Sequence, residues 1–527
     1  MSPPRRSFIT RFTTNNYVAG ALVTLGGCCF GADISSMSGQ LSNPYYLSQF
    51  NHPDSALQGG ITASMPAGSF AGALINSYLA DKIGRKKTII IGAWIWVLGC
   101  IVQSVANNVV TLVAGRVVAG LSVGILSAIV TTYQAELTKP SIRGRIVSIQ
   151  QLSIMSGIFL QYFVQLGASY INSDASFRLP WALQLIPGLI LGSLMWLFPE
   201  SPRWLCDHGR DDEALQILAD VHAQGDTEDN FVKLEFFEIQ RAIEFEKTQA
   251  AKSYLDLFHA SVRRRVFLGM AEQMWSQLSG MNVMMYYVIY VFQSAGITGR
   301  EGELIASSVQ YALGVAFTIP AVIYIDRWGR RPMLLYGALA MGMWLFLVGG
   351  LQGGFGHAVE NPASDATTTW VVEGNKGATY AIIVCSYLFV SSFAISWGPC
   401  SWTYASEIFP TRVRAKAVSL STASNSFNFS LAFATPPAFR NIQWKTYFVF
   451  GSFCFAAAIH ITFMYPETRG RTLEEMEEVF DGNKFTAWRV KSDAGKKTHA
   501  DAEAAIEQIS REEKDDLKLE VSHVEHA

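Results

Sequence analysis

Charge is scarce in this chain. Only 16% of its 527 residues are Asp, Glu, Lys or Arg, where a soluble globular chain carries about 25%. The net charge of −2 hides a segregation, because charge lies between long apolar runs and in the tail. That balance argues against nucleic acid as a partner. The seven cysteines make no disulfide framework. Cys28, Cys29, Cys100, Cys385, Cys400 and Cys454 fall in or at the edge of apolar runs, without metal-ligand spacing, and read as small core residues. There is no P-loop, no Gly-rich nucleotide loop after a strand and no Ser/His/Asp arrangement with context. The expectation is therefore a protein with no catalytic residues, no metal and no cofactor, and not an enzyme. Any transport must be passive or coupled to an ion. A cleavable signal peptide is also missing: a polar, basic start (Arg5, Arg6, Arg11) precedes a run long enough to span a bilayer.

What the chain has is apolar length. A spanning helix needs about 20 apolar residues. About a dozen runs qualify, near 17–39, 58–79, 88–106, 109–131, 146–171, 179–198, 265–293, 304–325, 333–352, 378–402, 415–437 and 446–465. Lys82, Arg85, Lys86 and Lys87, then Lys139, Arg143 and Arg145, then Arg263–Arg265, and later Arg327, Arg330, Arg331, Arg412, Arg414 and Lys416 all fall in even-to-odd links. The alternate link 40–57 has no Lys or Arg. The basic links and both termini are thus expected in the cytosol. The fold class is an all-α membrane protein of two pseudo-symmetric six-helix bundles. Its expected divisions are a cytosolic N-terminus 1–16, a first bundle 17–199, a helical linker 200–262, a second bundle 263–466 and a cytosolic tail 467–527.

The two halves are a duplication. Asp81-Lys-Ile-Gly-Arg85-Lys returns as Asp326-Arg-Trp-Gly-Arg330-Arg. Tyr133-Gln-Ala-Glu136 running to Arg143 returns as Tyr404-Ala-Ser-Glu407 running to Arg414. Pro199-Glu200 returns as Pro466-Glu467. Three motif types in one order mark a repeated unit. Asp81, Arg85, Glu136 and Arg143, with their twins Asp326, Arg330, Glu407 and Arg414, read as charge locks between helices that close the cytosolic side. The bland alternative is that the basic members only set topology.

Parallel repeats place a substrate site between the halves near the bilayer midplane. Polar residues inside the runs are the candidates. Asp33 in run one and Arg116 in run four can pair if those runs are neighbours. A carboxylate beside a guanidinium stays ionised; the same group alone in a dry site binds a proton. The pair is thus either a proton switch or a permanent structural tie. Run seven reads Gln277-Leu-Ser-Gly280-Met-Asn282-Val-Met-Met-Tyr286-Tyr287, where Gly280 can break the helix and free amides to line a cavity. The two tyrosines are gate candidates. Amides both donate and accept, as a neutral polyol requires. Gln151 in run five and Asn425 in run eleven add two more. In run ten Phe393, Trp397 and Trp402 flank Gly398-Pro399 and offer aromatic faces; lipid or core packing is the plainer reading of most aromatics. Glu272 receives no role and is expected to face the cytosolic vestibule.

These motifs resemble the sugar porter family of the major facilitator superfamily. The resemblance covers about residues 15–480. It rests on DKIGRKK and DRWGRRP, GRVVAG, YQAELTKPSIRGR, PESPRWL, QLSGMNVMMYY, WGPCSWTYASEIFPTRVRAK and PETRGRTLEE. FGADISSMSGQ and MNVMMYY look closest to fungal high-affinity glucose, hexose or xylose carriers. The resemblance implies alternating access, with sugar contacts at Gln151, Gln277, Asn282, Phe393, Trp402 and Asn425. It implies that Asp33 marks a symporter with the proton as coupling ion. Three departures bear on sugar choice: Ser276 where the family has Gln, Gly314 where it often has Asn, and a stretch Asn425–Phe429 without the usual Trp. The expected reading is a plasma-membrane hexose/proton symporter, for glucose foremost, acting as a monomer in the lipid bilayer. A passive facilitator of the same fold, or a sugar sensor that does not transport, are its rivals.

Overall fold

The computed structural model describes residues 15–138, 143–249, 257–297, 299–359, 368–409, 413–425, 427–469 and 480. The far N-terminus, most of the tail, and the side chains of Arg143 and Arg414 lie outside the described residues.

The first half consists of α1 (Val18–Ser38), α2 (Ser55–Ile83), α3 (Arg85–Ser104), α4 (Val109–Leu137), α5 (Arg145–Ala168) and α6 (Ala175–Leu197). Three polar-faced helices follow, α7 (Pro202–Asp207), α8 (Asp211–His222) and α9 (Asn230–Gln249). They pack on one another through Trp204, Leu205, Ala214 and Ile243. The second half comprises α10 (Ala260–Leu278), α11 (Met281–Tyr286), α12 (Val288–Ser294), α13 (Arg300–Trp328), α14 (Arg330–Phe355), α15 (Lys376–Ile395), α16 (Trp397–Glu407), α17 (Arg414–Asn425), α18 (Asn428–Asn441) and α19 (Lys445–Met464). A two-residue antiparallel pair, β1 (His357–Ala358) with β2 (Trp370–Val371), links α14 to α15.

Among the described residues, nine helical stretches are long and apolar enough to cross a bilayer. The three other runs are α2, the α10–α12 segment and the α17–α18 segment. Each of the three packs on the other half along part of its length. α2 packs on α17 and α18 across the interface, α5 packs on α13 and α16, and α11 packs on α1. Two of the three are also interrupted. Gly280 sits at φ 83°, in the left-handed region, and ends α10. A similar interruption falls at Ser396, at φ −124° and ψ −81°, between α15 and α16. Pro399 follows in the first turn of α16, where its missing N–H costs no helical hydrogen bond. The sequence reading ends several runs too early. α2 and α13 continue to Ile83 and Trp328, because the repeated Asp and basic residues close the helix rather than follow it.

Candidate functional site

The three repeated motifs converge into one knot in each half. In the first, Gly84 turns the chain between α2 and α3 at φ 95°. The Glu200 carboxylate then caps α3, accepting from the backbone N–H of Arg85 at 3.0 Å and Lys86 at 3.0 Å. An anion at a helix N-terminus answers both the unpaired amides and the dipole. Arg85 donates to both oxygens of Glu136, at 3.0 and 3.1 Å, and lies 3.8 Å from Asp81. Tyr133 donates to the Pro199 carbonyl at 2.7 Å. Glu200 lies beyond the apolar runs, and burial pushes its carboxyl above its ordinary range, against the pull of those backbone amides. The second half repeats every part. Gly329 turns at φ 86°, Glu467 accepts from Arg330 N–H at 2.9 Å, and Arg330 pairs with Glu407 at 2.7 Å and Asp326 at 2.9 Å. Tyr404 donates to the Pro466 carbonyl at 3.3 Å. A Cβ at either glycine would run into the capping carboxylate.

Of the expected charge-lock members, Arg85 pairs with Glu136, and Arg330 with Glu407 and Asp326, each inside its own half, while the side chains of Arg143 and Arg414 lie outside the described residues. Arg85 and Arg330 reach acids of their own bundle, because the helix turn that carries each arginine sits directly against its own fourth or tenth run. Across the interface at this end, Asp81 has Lys416 of α17 within electrostatic reach, Ser148 meets Thr403 at 3.2 Å and Asn76 meets Ser419 at 3.5 Å. Sequence reasoning missed Glu200 and Glu467 as helix caps. Their signal was present, in that the Pro-Glu motif repeats in register with the Gly-Arg motif.

At the opposite end the halves also touch. Tyr311 donates to Ser38 at 3.2 Å, and Gly59 packs against the Phe433 carbonyl. Within the second half, Tyr287, between α11 and α12, donates to the Ala432 carbonyl at 2.7 Å, while the hydroxyl of Tyr286, the last residue of α11, has no hydrogen-bond partner. Both rings are buried.

Between the two ends lies a narrow cavity lined by side chains of both halves. Gln151, Gln277, Asn282, Phe393, Trp402 and Asn425 all line it, together with Phe30, Ile34, Met155 and Ser276. Four elements supply the polar groups: α5, the broken α10–α11, α16 and α17. The amides form a chain. Asn282 donates to Gln277, Gln277 to Asn425 at 2.9 Å, Asn425 to Gln273 at 2.6 Å, and Gln273 to the Ser401 carbonyl at 3.0 Å. From the other half, Gln151 accepts from the Trp402 indole at 3.1 Å. Gln273 was not found from the sequence. It stands one helical turn before Gln277 on the same face, and that spacing was its signal. Of the three departures, Ser276 and Asn425 line the cavity, whereas Gly314 stands behind Met155, where an added Cβ would lie 3.4 Å from the Met155 sulfur. Asn428 is buried, away from the cavity.

Asp33 and Arg116 do meet. The guanidinium of α4 lies 3.2 Å from the carboxylate of α1, both side chains fully buried. Arg116 also donates to the Ile61 carbonyl of α2 at 3.0 Å. One oxygen of Asp33 and one nitrogen of Arg116 have no partner. Tyr286 of the other half lies within electrostatic reach of both. Glu272 overturns its expectation: it faces no vestibule but is fully buried, with neither carboxyl oxygen hydrogen-bonded. The approach of α16 and α19 covers it.

Comparison with known proteins agrees with this geometry. The profile of the family described as "Sugar (and other) transporter" matches residues 19–480. The chain is 48% identical over 488 residues to the MFS glucose transporter mfs1 of Aspergillus flavus, covering 90% of this chain and 91% of that one. It is 42% identical over 478 residues to a high-affinity glucose transporter of Kluyveromyces lactis, covering 90% and 86%. Among solved structures it superposes, at a TM-score of 0.74 and 26% identity, on the proton:xylose symporter XylE bound to 6-bromo-6-deoxy-D-glucose, covering 89% of this chain and 100% of that one. With two helical halves around an amide-lined cavity and a family match across nearly the whole folded part, the chain belongs to the sugar transporter family, as a membrane-spanning carrier and not an enzyme.

Proposed function

We propose that this carrier is a proton-coupled symporter of a hexose, glucose foremost, in the plasma membrane, with both termini and the motif-bearing end in the cytosol. The observation that carries the reading is the ion pair Asp33–Arg116, fully buried and beside the cavity. An ionised carboxylate in such a place is stabilised only while its partner is near. When the halves rock apart and α1 shifts against α4, Asp33 loses that partner and takes a proton. When they close, Arg116 displaces it. Sugar binding joins this cycle through the cavity, whose lining residues Phe30 and Ile34 belong to α1. Gln151, Gln277, Asn282 and Asn425 hold the sugar hydroxyls, and Phe393 and Trp402 cover its C–H faces. The amides already bond one another, so sugar exchanges hydrogen bonds rather than filling unmet ones. The halves touch at both ends of the cavity, and alternating access breaks one set of these contacts at a time. The bundles 17–199 and 263–466 move as the two rigid bodies, each held by its own knot, with 200–262 as linker. Asp81, Arg85, Glu136 and Arg143, and Asp326, Arg330, Glu407 and Arg414, brace the cytosolic gate; Tyr286 and Tyr287 brace the other. The unit of function is the monomer.

Names of relatives support glucose, and the XylE likeness supports proton coupling. The test is uptake of labelled glucose into liposomes under an imposed inward proton gradient. Accumulation above the outside concentration that a protonophore abolishes is the expected result. Equilibration without gradient dependence makes the chain a facilitator, with Asp33–Arg116 a structural tie.

A further inference from the structure

Four buried polar atoms at the Asp33–Arg116 corner have no hydrogen-bond partner. They are Asp33 Oδ1, Arg116 Nη1, Gln58 Nε2 and the Tyr286 hydroxyl. None of these residues is more than 2% exposed. Asp33, Arg116 and Gln58 belong to α1, α4 and α2 of the first half, whereas Tyr286 ends α11 of the second.

Contacts tie the four to one place. Arg116 holds the Ile61 carbonyl, and Gln58 stands one turn earlier on the same face of α2. The Gln58 side-chain oxygen accepts from the Tyr46 hydroxyl at 3.4 Å. Tyr46 lies within electrostatic reach of Arg116 and of Tyr290 in α12. Its ring is set by Phe50, Phe177 and Trp181, at centroid distances of 5.1, 6.4 and 6.2 Å. From the second half, Tyr286 lies within reach of Asp33 and Arg116, and Tyr287 stands beside Thr62 of α2. Behind the pair, Cys100 of α3 faces Asp33. The corner is shallow. α2 begins at Ser55 beside the exposed Asp54. From Asp54 the helix reaches Gln58 in about 6 Å and Ile61 in about 10 Å.

The unmet atoms are chemically matched to water. The Gln58 amide nitrogen and the Arg116 guanidinium only donate, Asp33 Oδ1 accepts, and the Tyr286 hydroxyl does either. Water accepts two hydrogen bonds and donates two. Buried water settles where otherwise unmet polar groups converge, with about three hydrogen bonds each.

We propose that this corner is a water-binding port through which Asp33 receives its proton from the end opposite the knots. Water held by Gln58 donates to Asp33 Oδ1 and is itself reprotonated from the solvent at that end. Each O–H bond that breaks is replaced by one that forms, and one proton moves inward. Gln58 is a positioning residue, which holds the water and carries no proton. Tyr286 is the wall that the other half supplies. Parting the halves at this end withdraws it and joins the port to bulk water; closing returns it over the loaded Asp33. The inference rests on the symport reading above and adds the side and the route by which the proton enters.

The test compares wild type, Gln58→Leu and Tyr286→Phe, each full-length in liposomes with an acidic exterior, in H2O and in D2O. Initial sugar uptake should fall about tenfold in either variant, the worth of one hydrogen bond in a rate. Gln58→Leu should keep the wild-type rate of sugar exchange at equal pH, because exchange by the protonated carrier needs no new proton. It should also reach the wild-type accumulation ratio, only later, because Asp33 still couples. Both variants should slow more in D2O than the wild type does, since proton delivery has become the slow step; a packing defect gives no such excess. Tyr286→Phe deletes only an unpartnered hydroxyl and serves if the leucine variant does not assemble. Wild-type initial rates in the variants overturn the port, as does a slowing without the added isotope effect. An accumulation ratio of unity in Gln58→Leu alone also overturns it, because Gln58 then belongs to the coupling itself. A ratio of unity in the wild type sinks the symport reading, and the port with it.

Discussion

Replacing Asp33 by Asn tests the buried pair most directly, because two readouts must move in different ways. The structure places Arg116 fully buried, with one nitrogen already unpartnered and Asp33 as its only counter-charge within 4.0 Å among the described residues. Removing that charge leaves the guanidinium with the Ile61 carbonyl and little else. Breaking a buried pair from one side costs about 3–5 kcal/mol. Asp33→Asn should therefore lower the thermal unfolding midpoint of the detergent-solubilised protein by several degrees. It should also abolish accumulation of sugar while leaving sugar exchange. A gradient of one pH unit can drive about tenfold accumulation when one proton moves per sugar, so the expected change is from that ratio to unity. Adding Arg116→Gln to Asp33→Asn removes the stranded charge. The double variant should regain much of the lost stability but no accumulation. Uphill uptake by Asp33→Asn would refute the proton role. A double variant no more stable than the single would refute the claim that the stranded charge is what costs.

Three further outcomes are expected. Gln273→Leu strands the Asn425 amide and the Ser401 carbonyl, at about 1–3 kcal/mol each; the apparent sugar affinity measured by equilibrium binding should fall roughly tenfold or more. Ser276→Gln and Gly314→Asn each add volume at or behind the cavity wall, so competition uptake with a panel of hexoses and pentoses should show altered preference. A Cβ at Gly59 would lie 2.6 Å from the Phe433 backbone oxygen; Gly59→Val should hold that end open, losing transport while keeping binding, as read by labelling of a cysteine placed at Tyr287.

Much of this was legible in the residues, for definite reasons. Spanning runs are set by lipid, so their length and apolarity are written locally. The cavity residues were legible because amides and a Gly break inside an apolar run have no other cheap place to go, and Gln277, Asn282 and Asn425 do share one wall. The adjacency of Asp33 and Arg116 required only that α1 and α4 be neighbours. What escaped depends on packing at a distance. Gln273 looked like any polar residue until α17 brought Asn425 to it. Glu272 looked solvent-facing because nothing local says that α16 and α19 close over it. The charge motifs were recognised, yet whether Arg85 reached across the cleft or into its own bundle was a question of which helix faced it. Glu200, separated from Gly84 by more than a hundred residues, became a cap only once the chain had returned to the same corner.

Each knot draws on a single half. Arg85 and Glu136 precede the linker and Glu200 is its first residue, while Arg330, Glu407 and Glu467 all come after it. During synthesis the first bundle can thus seal its own corner while the second is still inside the ribosome, without waiting for a distant strand of charge to arrive. The same autonomy means that a chain severed in the linker, with both pieces made in one cell, leaves neither knot incomplete. The two pieces have only their shared cavity wall to rebuild.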